Sequence, residues 1–598
     1  MTFSPISIMK TFLAVFLVAL IAGCSSGGSS SQGTGAITAE ATTGNIAVKL
    51  DWGSASKTAA KSVASAPAGV ATVRIIISGS GISPSMQKDF AANLGTGTIE
   101  GVPAGNERTV TAQGLVGGTV IYQGTSALIT VLAGQTANAG TIIMNIIPTA
   151  SFNGTIVLGA PSTTSIKANV LSSDQSGTVF LKYGTSPGVY DKQTASTALV
   201  AGKPSVLAMD GLTAGARHYY RLFFQASAGS DSSQSAEYTF HTARPAGSTF
   251  TFTIQADSHL DENSDPEVYR RTLANVLADA PDFHIDLGDT FMCEKHSAPL
   301  TPTVKAAPDQ ATVDARYIYE RDYFGLVSHS TPLFLVNGNH EGELGWLYNE
   351  TALNIAVWTT LARQQYYMNP VPDSFYSGDA TLEPFVGKRA SWYSWNWGDA
   401  LFVVLDPYWY SKTSSSKDAW ALTLGETQYK WLQQTLSTTP AKFKFVFVHN
   451  LVGGLAGQMR GGIEAAPFFE WGGKNLDGTD GFSLKRPGWS MPIHQLLVTH
   501  GVTAVFHGHD HIYAKQLLDG VVYQEVPQPS AKDFQNGSNL ATAYHYATGT
   551  ILSSSGHIRV TVGPSLATAE YVRAWLPKNE TSKRKNGQVD DTWSIVAP

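Results

Sequence analysis

At 598 residues the chain is long enough for about four domains. Hydrophobic residues make up 43% and charged residues 14%, so wholesale disorder is excluded. Lys and Arg total 40 against 46 Asp and Glu, a formal net charge of -6, and with no basic surplus nucleic acid is excluded as the main partner.

In chain order, Lys10 precedes an apolar run at residues 12–22, which ends Leu20-Ile21-Ala22-Gly23-Cys24. A bilayer span needs about 20 apolar residues, so the run is too short to cross and suits the core of an export signal. Small residues before a cysteine resemble the lipobox of bacterial lipoproteins. The resemblance implies that residues 1–23 are a signal cleaved before Cys24, and that Cys24 is lipidated and anchors the chain in a membrane. Ser25 rather than Asp after that cysteine implies the outer membrane or cell surface. Residues 24–36 are a Gly/Ser-rich tether. With Cys24 lipidated, Cys293 is the other cysteine of the chain and stands alone, which excludes cysteine-only zinc sites and a disulfide framework.

Residues 37–147 alternate short β-branched runs with Gly, Ser and Asn turns. Strands are predicted at 73–77, 109–111, 119–122 and 127–132, and no charged residue lies between Arg108 and Lys167. The segment reads as a β-sandwich without chemistry. Residues 148–246 read as a second β unit, in which Tyr219, Arg221 and Phe223 alternate across a strand with Tyr220, Leu222 and Phe224. His218 reads as a strand-edge residue. The stretches LKYGTSPGVYDK and LTAGARHYYRLFF resemble the fibronectin-type domain that precedes the catalytic domain of purple acid phosphatases.

From residue 247 the texture changes to apolar strands alternating with helical patterns, which predicts an α/β layered domain over 247–575 followed by a tail at 576–598. Asp265-Pro266 is an N-cap and first-turn pair, and the following helix is closed by Pro281. Strands are predicted at 250–255, 283–287, 333–336, 401–405, 443–448 and 503–506, with helices at 426–436 and 493–500. The fold class is therefore multidomain: two all-β sandwiches, then an α/β domain whose β-sandwich is flanked by helices.

Potential ligands stand just past the strand ends, where α/β sheets place their sites. They are Asp257-Ser258-His259, Gly288-Asp289, Gly338-Asn339-His340-Glu341, His449-Asn450 and Gly508-His509-Asp510-His511. Each group alone is a weak signal; five in order are a strong one. The logic is a two-metal hydrolase, in which two divalent ions about 3.5–4 Å apart activate a water and neutralise phosphoryl oxygens. Asp289 is placed to bridge them. Imidazole, carboxylate and carboxamide ligands without thiolate suit Zn, Mn or Fe.

These five blocks match the signature of calcineurin-like metallophosphoesterases. The resemblance implies that Asp257, His259, Asp289 and His511 hold one metal, and that Asp289, Asn339, His449 and His509 hold the other. It implies that Asn339 and His340 contact the phosphate, that His340 protonates or stabilises the leaving oxygen, and that a metal-bridging hydroxide attacks. Similarity to purple acid phosphatases extends to WYSWNWGDALFVVLD and ETQYKWLQQTL. Two positions depart from that subfamily. It has Gly where His259 stands, and where Met292 stands it has the Tyr that binds ferric iron, so a purple iron centre is not expected.

Arg460, in a glycine-rich loop, is a candidate bidentate clamp for phosphate. Trp392, Trp395, Trp397 and Trp409 read as core and pocket wall. His284, His296, His329, His494, His500 and His507 read as structural. Substrate contacts are expected from loops at 292–330, 341–390 and 453–490. The expected protein is an exported, lipid-anchored phosphoesterase acting on a small phosphorylated substrate, a phosphate mono- or diester. The alternative is a cell-surface binding or adhesion lipoprotein whose phosphoesterase domain is inactive or secondary. No sequence feature speaks to oligomeric state.

Overall fold

The computed structural model describes residues 42–598 apart from 53–65, 68–69, 81, 83–84, 117–118, 147–151, 227–231, 261–262, 299–304, 415–417, 454–459, 533 and 535. Residues 1–41, with the expected signal, Cys24 and the tether, lie outside the described residues. Among the described residues no helix is long and apolar enough to cross a membrane.

The first unit packs a three-stranded sheet (Thr96–Pro103, Thr43–Asp51, Thr136–Ile143) against a larger one built on Thr72–Ser78 and Gly105–Val116. Inward residues alternate with outward ones along Thr72–Ser78, so Val73, Ile75 and Ile77 meet Ile46, Val48 and Ile142 in one core. The second unit repeats the arrangement with Thr155–Gly159, Ser165–Leu171 and Ser205–Asp210 facing a sheet centred on Gly177–Gly184 and Arg217–Gln225. Along Arg217–Gln225, Tyr220, Leu222 and Phe224 are buried while Tyr219, Arg221 and Phe223 are half-buried. His218 shares the inward face, with its Nε2 3.1 Å from the Thr213 carbonyl oxygen.

This second unit is fastened to the third. Arg321, fully buried on the helix Gln310–Ser328, donates from Nε to Thr155 Oγ1 (2.7 Å), from Nη2 to the Asn169 carbonyl and from Nη1 to the Tyr366 carbonyl. Asn169 Nδ2 donates to the Gln365 carbonyl (2.9 Å) and the Tyr220 hydroxyl to that of His329 (2.5 Å).

The third unit has two sheets face to face. The six-stranded sheet runs Leu333–Leu335, Phe283–Asp286, Phe250–Gln255, Gly556–Val562, Leu566–Arg573, Val589–Val596. The eight-stranded sheet has Ala400–Val404, Phe443–Phe447, Ala504–His507 and Val521–Glu525 as parallel neighbours at its centre. Between the sheets lie Phe252, Phe283, Phe402, Phe447, Phe506 and Trp395. Helices Gly425–Thr438 and Ile493–Thr499 cover the outer face of one sheet, and Pro266–Ala278 and Gln310–Ser328 that of the other. Asp265 caps Pro266–Ala278 by accepting from the Glu267 amide at 2.9 Å. In each sheet the parallel strands point their C-terminal ends to the same rim, which fixes where a site can form.

Residues 576–598, expected as a tail, are instead part of the domain. Val589–Val596 adds an edge strand to the six-stranded sheet with Trp593 opposite Ala569, and the Trp593 indole donates to Gln524 Oε1 at 2.9 Å. An edge strand needs one buried face only, and in VDDTWSIV Trp593 alone is fully buried. The two aspartates hide the pattern.

Candidate metal centre

At the shared rim the strand ends converge. Asp257, His259 and His511 form one group, and Asp289, His449 and His509 another. Within each group one ligand atom per residue lies within 4.8 Å of the others. Asp289 Oδ2 stands between them, 3.1 Å from His449 Nε2, 3.6 Å from His259 Nε2 and 4.0 Å from His509 Nδ1. Asp257 Oδ1 is 3.4 Å from His511 Nε2 and 3.5 Å from His259 Nε2.

The other carboxylate oxygens are spoken for. Asp257 Oδ2 accepts from the His509 amide and Asp289 Oδ1 from the His340 amide, both at 2.8 Å. Each aspartate therefore presents one oxygen inward. His449 is fixed from behind, its Nδ1 2.9 Å from the Leu287 carbonyl, so Nε2 faces the cluster. His340 is oriented by Glu294, whose Oε2 is 2.8 Å from Nδ1.

Local backbone is forced into place to achieve this. Asp257, His259, Asp289, His509 and His511 all have left-handed backbones, with φ between 44° and 82°. Such non-glycine residues cost on the order of 1–3 kcal/mol each and cluster at functional sites. Gly288 has φ 95°, and a Cβ there would lie 2.3 Å from the Gly338 amide nitrogen. A Cβ on Gly508 would lie 2.5 Å from Asp257 Oδ2. The glycines that precede Asp289 and His509 are therefore packing requirements. Glu341 ties two ligand loops together, accepting from the amides of Asp289 (3.0 Å) and Thr290 (2.7 Å).

The residues fit a pair of divalent cations. Asp257 Oδ1, His259 Nε2, Asn339 Oδ1, His449 Nε2 and both ring nitrogens of His509 are buried with no hydrogen-bond partner. So many orphaned ligating atoms in one place are costly unless a cation receives them. Burial opposes charge on His449 and His259, yet the neighbouring aspartates outweigh it. His449 is held up at about 9 by Asp289 and Asp257, and His259 at about 10 by the negative charge of Asp257 and Asp289 beside it. An ion-free cluster of this kind holds protons where a cation would sit.

The cluster opens into a cavity of about 700 Å³ floored by His259, Asp289, His340, His509 and His511. Arg460 lines it too, but not as an open clamp. Its Nε donates to Asp510 Oδ1 (2.8 Å), its Nη2 donates to the His509 carbonyl (2.7 Å), and the guanidinium lies 3.8 Å from the Tyr544 ring centroid. Asp510 sits between two candidate ligands and turns its carboxylate away from them, which draws the guanidinium there. Asp510, Glu294 and Glu341 were present in the quoted motifs or beside them, but nothing in their spacing marks a supporting role.

Three further expectations meet the structure differently. None of the four tryptophans lines the cavity: Trp395 stacks on Phe334 at 4.1 Å, Trp397 bonds Asp282, Trp392 packs on Trp431 and Trp409 lies under Arg389. Of the expected substrate loops, 341–390 contributes nothing to the lining. Residues 528–554 contribute instead. His507 is structural, with Nδ1 2.6 Å from Glu525. Cys293 is free and buried, and burial pushes its thiol well up, so it is no thiolate nucleophile.

Residues 250–513 match the family model for calcineurin-like phosphoesterase. No curated protein matches the chain. Among solved structures, that of PhoD is 12% identical with a TM-score of 0.51, covering 75% of this chain and 92% of that one. A purple acid phosphatase from yellow lupin seeds is 13% identical with a TM-score of 0.48, covering 88% and 90%. The PhoD structure shares the fold.

Proposed function

We propose that this chain, whose residues 250–513 match the calcineurin-like phosphoesterase model, is a metal-dependent phosphoric ester hydrolase, exported and acting on phosphate mono- or diesters at a two-cation centre. The observation that carries the reading is the pair of ligand groups sharing Asp289, with their inward atoms buried and unpartnered. Asp257, His259, Asp289 and His511 would hold one cation, and Asp289, Asn339, His449 and His509 the other. Bound there, divalent cations supply Lewis acidity to phosphoryl oxygens and generate a nucleophile from water near neutral pH.

The chain's own residues do the rest. Asp289 and Asp257, each pinned by a backbone amide, present one oxygen apiece without reorganisation. His340, backed by Glu294, aims Nε2 into the cavity, where it can stabilise or protonate the leaving oxygen. Arg460 acts through Asp510 and the His509 carbonyl, and its role is to position His509. Export and lipid anchoring rest on the pattern at residues 10–24, outside the described residues.

Hydrolysis of p-nitrophenyl phosphate and bis-p-nitrophenyl phosphate by Mn- or Zn-loaded protein tests the reading. Turnover abolished by chelation and restored by metal supports it, and the preferred ester separates phosphatase from phosphodiesterase. No turnover of either with metal bound would contradict it.

A further inference from the structure

The floor of the cavity lies inside the family-matched segment, but one wall does not. Gln528, Lys532, Asn536, Leu540, Tyr544 and Ser554 all follow residue 513. This wall is strapped to the loop that carries His259. Asp265 donates its amide to the Ser530 carbonyl at 2.7 Å, Thr272 Oγ1 donates to that of Pro529 at 2.7 Å, and the Ser530 hydroxyl donates to that of Ser258. At the far end Ser554 Oγ donates to the His511 carbonyl at 2.7 Å and accepts from the Gln528 amide at 3.0 Å. The wall is thus registered against both histidines of one ligand group.

Its chemistry is one-sided. Lys532 is exposed on this wall and Lys295 lines the cavity as well. Among the described lining residues Asp289 is the one carboxylate, and it faces the histidines. A cavity of about 700 Å³ is several times larger than a phosphoryl group, so most of it receives what the phosphate is attached to. Cations there, in a chain of net charge -6, favour a ligand with negative charge beyond the reacting phosphate.

We infer that the 528–554 wall is the specificity element of the site, that it selects phosphoesters whose leaving group carries a second anionic group, and that Lys532 receives that group. The inference rests on the phosphoesterase reading above. The test compares 4-carboxyphenyl phosphate with phenyl phosphate, and their methyl diesters, on the Mn-loaded full chain and on Lys532→Met and Lys532→Arg. The wild type is expected to favour the carboxylated ester by about tenfold in kcat/KM, through KM, with the preference shrinking as salt rises. Lys532→Met is expected to bring the ratio to its value in free solution chemistry, and Lys532→Arg to keep most of it. Comparing the ratio between variants cancels the intrinsic reactivity of the two leaving groups. A 4-phosphonophenyl phosphate arm identifies the distal group as carboxylate or phosphate-like by which ratio collapses more in Lys532→Met. Turnover of both esters without a preference, or a preference that survives Lys532→Met, would overturn the inference. No turnover of any ester would instead contradict the phosphoesterase reading and remove its ground.

Discussion

Two clusters of buried charge lie in the third unit, the residues of one falling in sequence between those of the other. In one, Glu343 receives Arg363 (2.5 and 2.9 Å) and Arg389 (2.5 Å), and Arg389 reaches on to Asp406 (2.9 Å); each side chain is about 1% exposed or less. Burial pushes the Glu343 carboxyl up, but the two guanidiniums outweigh it and hold it down at about 2. In the other, Asp257 and Asp289 face His259, His449 and His509, whose ligating nitrogens are buried without a hydrogen-bond partner. The first cluster is nearly closed: opposite charges meet, and of its side-chain atoms Arg389 Nε alone is left without a hydrogen-bond partner. The second is left open, on strained backbone, at the floor of a cavity. Pairing of opposite charges marks scaffold, and several buried metal-ligating atoms left without partners in one cluster mark a place for something not supplied by the chain.

The contrast can be broken from either side. Removing Asp289 should give the largest functional effect: Asp289→Asn is expected to lower kcat/KM on a nitrophenyl ester roughly ten-thousandfold, about 5 kcal/mol of transition-state stabilisation. Its thermal midpoint should stay near that of the wild type, measured with metal removed from both. In the closed cluster the signs exchange. Arg363→Met leaves Glu343 with one partner fewer and is expected to cost about 3–5 kcal/mol of stability, read by denaturant unfolding. Metal stoichiometry of the folded fraction should be unchanged.

Arg460 links the open cluster to its surroundings. Arg460→Met should weaken metal binding by roughly 10–100-fold, as loss of a partner behind a ligand does, while Arg460→Lys recovers part of it. An unchanged metal affinity with raised KM would favour the phosphate clamp instead. The pH dependence gives a finer test. His259 and His449 are held at about 10 and about 9 in the ion-free cluster, and ligation needs them neutral. Metal affinity should therefore fall as pH drops below about 10, and more steeply below about 9. Calorimetry in buffers of different ionisation enthalpy should show protons released on binding at pH 7. The smallest effect is spectroscopic: with Met292 where purple acid phosphatases have Tyr, iron-loaded protein should show no tyrosinate absorption band.

Much of this arrangement is legible in the residues. The parallel strands are short apolar runs, and the ligand blocks stand where those runs stop, so their convergence follows from the sheet alone. Local signals also fix the helix cap at Asp265 and the alternation around Tyr220. What stays hidden depends on partners far away in sequence. Val589–Val596 carries two aspartates and shows its strand character only when Trp593 meets Gln524. Arg460 reads as a free loop cation until Asp510 is brought beside it. The 528–554 wall has no motif, because a specificity surface needs only side chains held at the right place, and here the holding is done by carbonyls of Ser258 and His511.

The most direct test of the open cluster is a metal titration of the chelator-stripped full chain, with activity followed at each addition. Two equivalents of Mn or Zn bound per chain, with hydrolysis rising as the second equivalent binds and both lost in Asp289→Asn, is the predicted result. Full activity after stripping, or metal uptake unaffected by Asp289→Asn, would contradict the account.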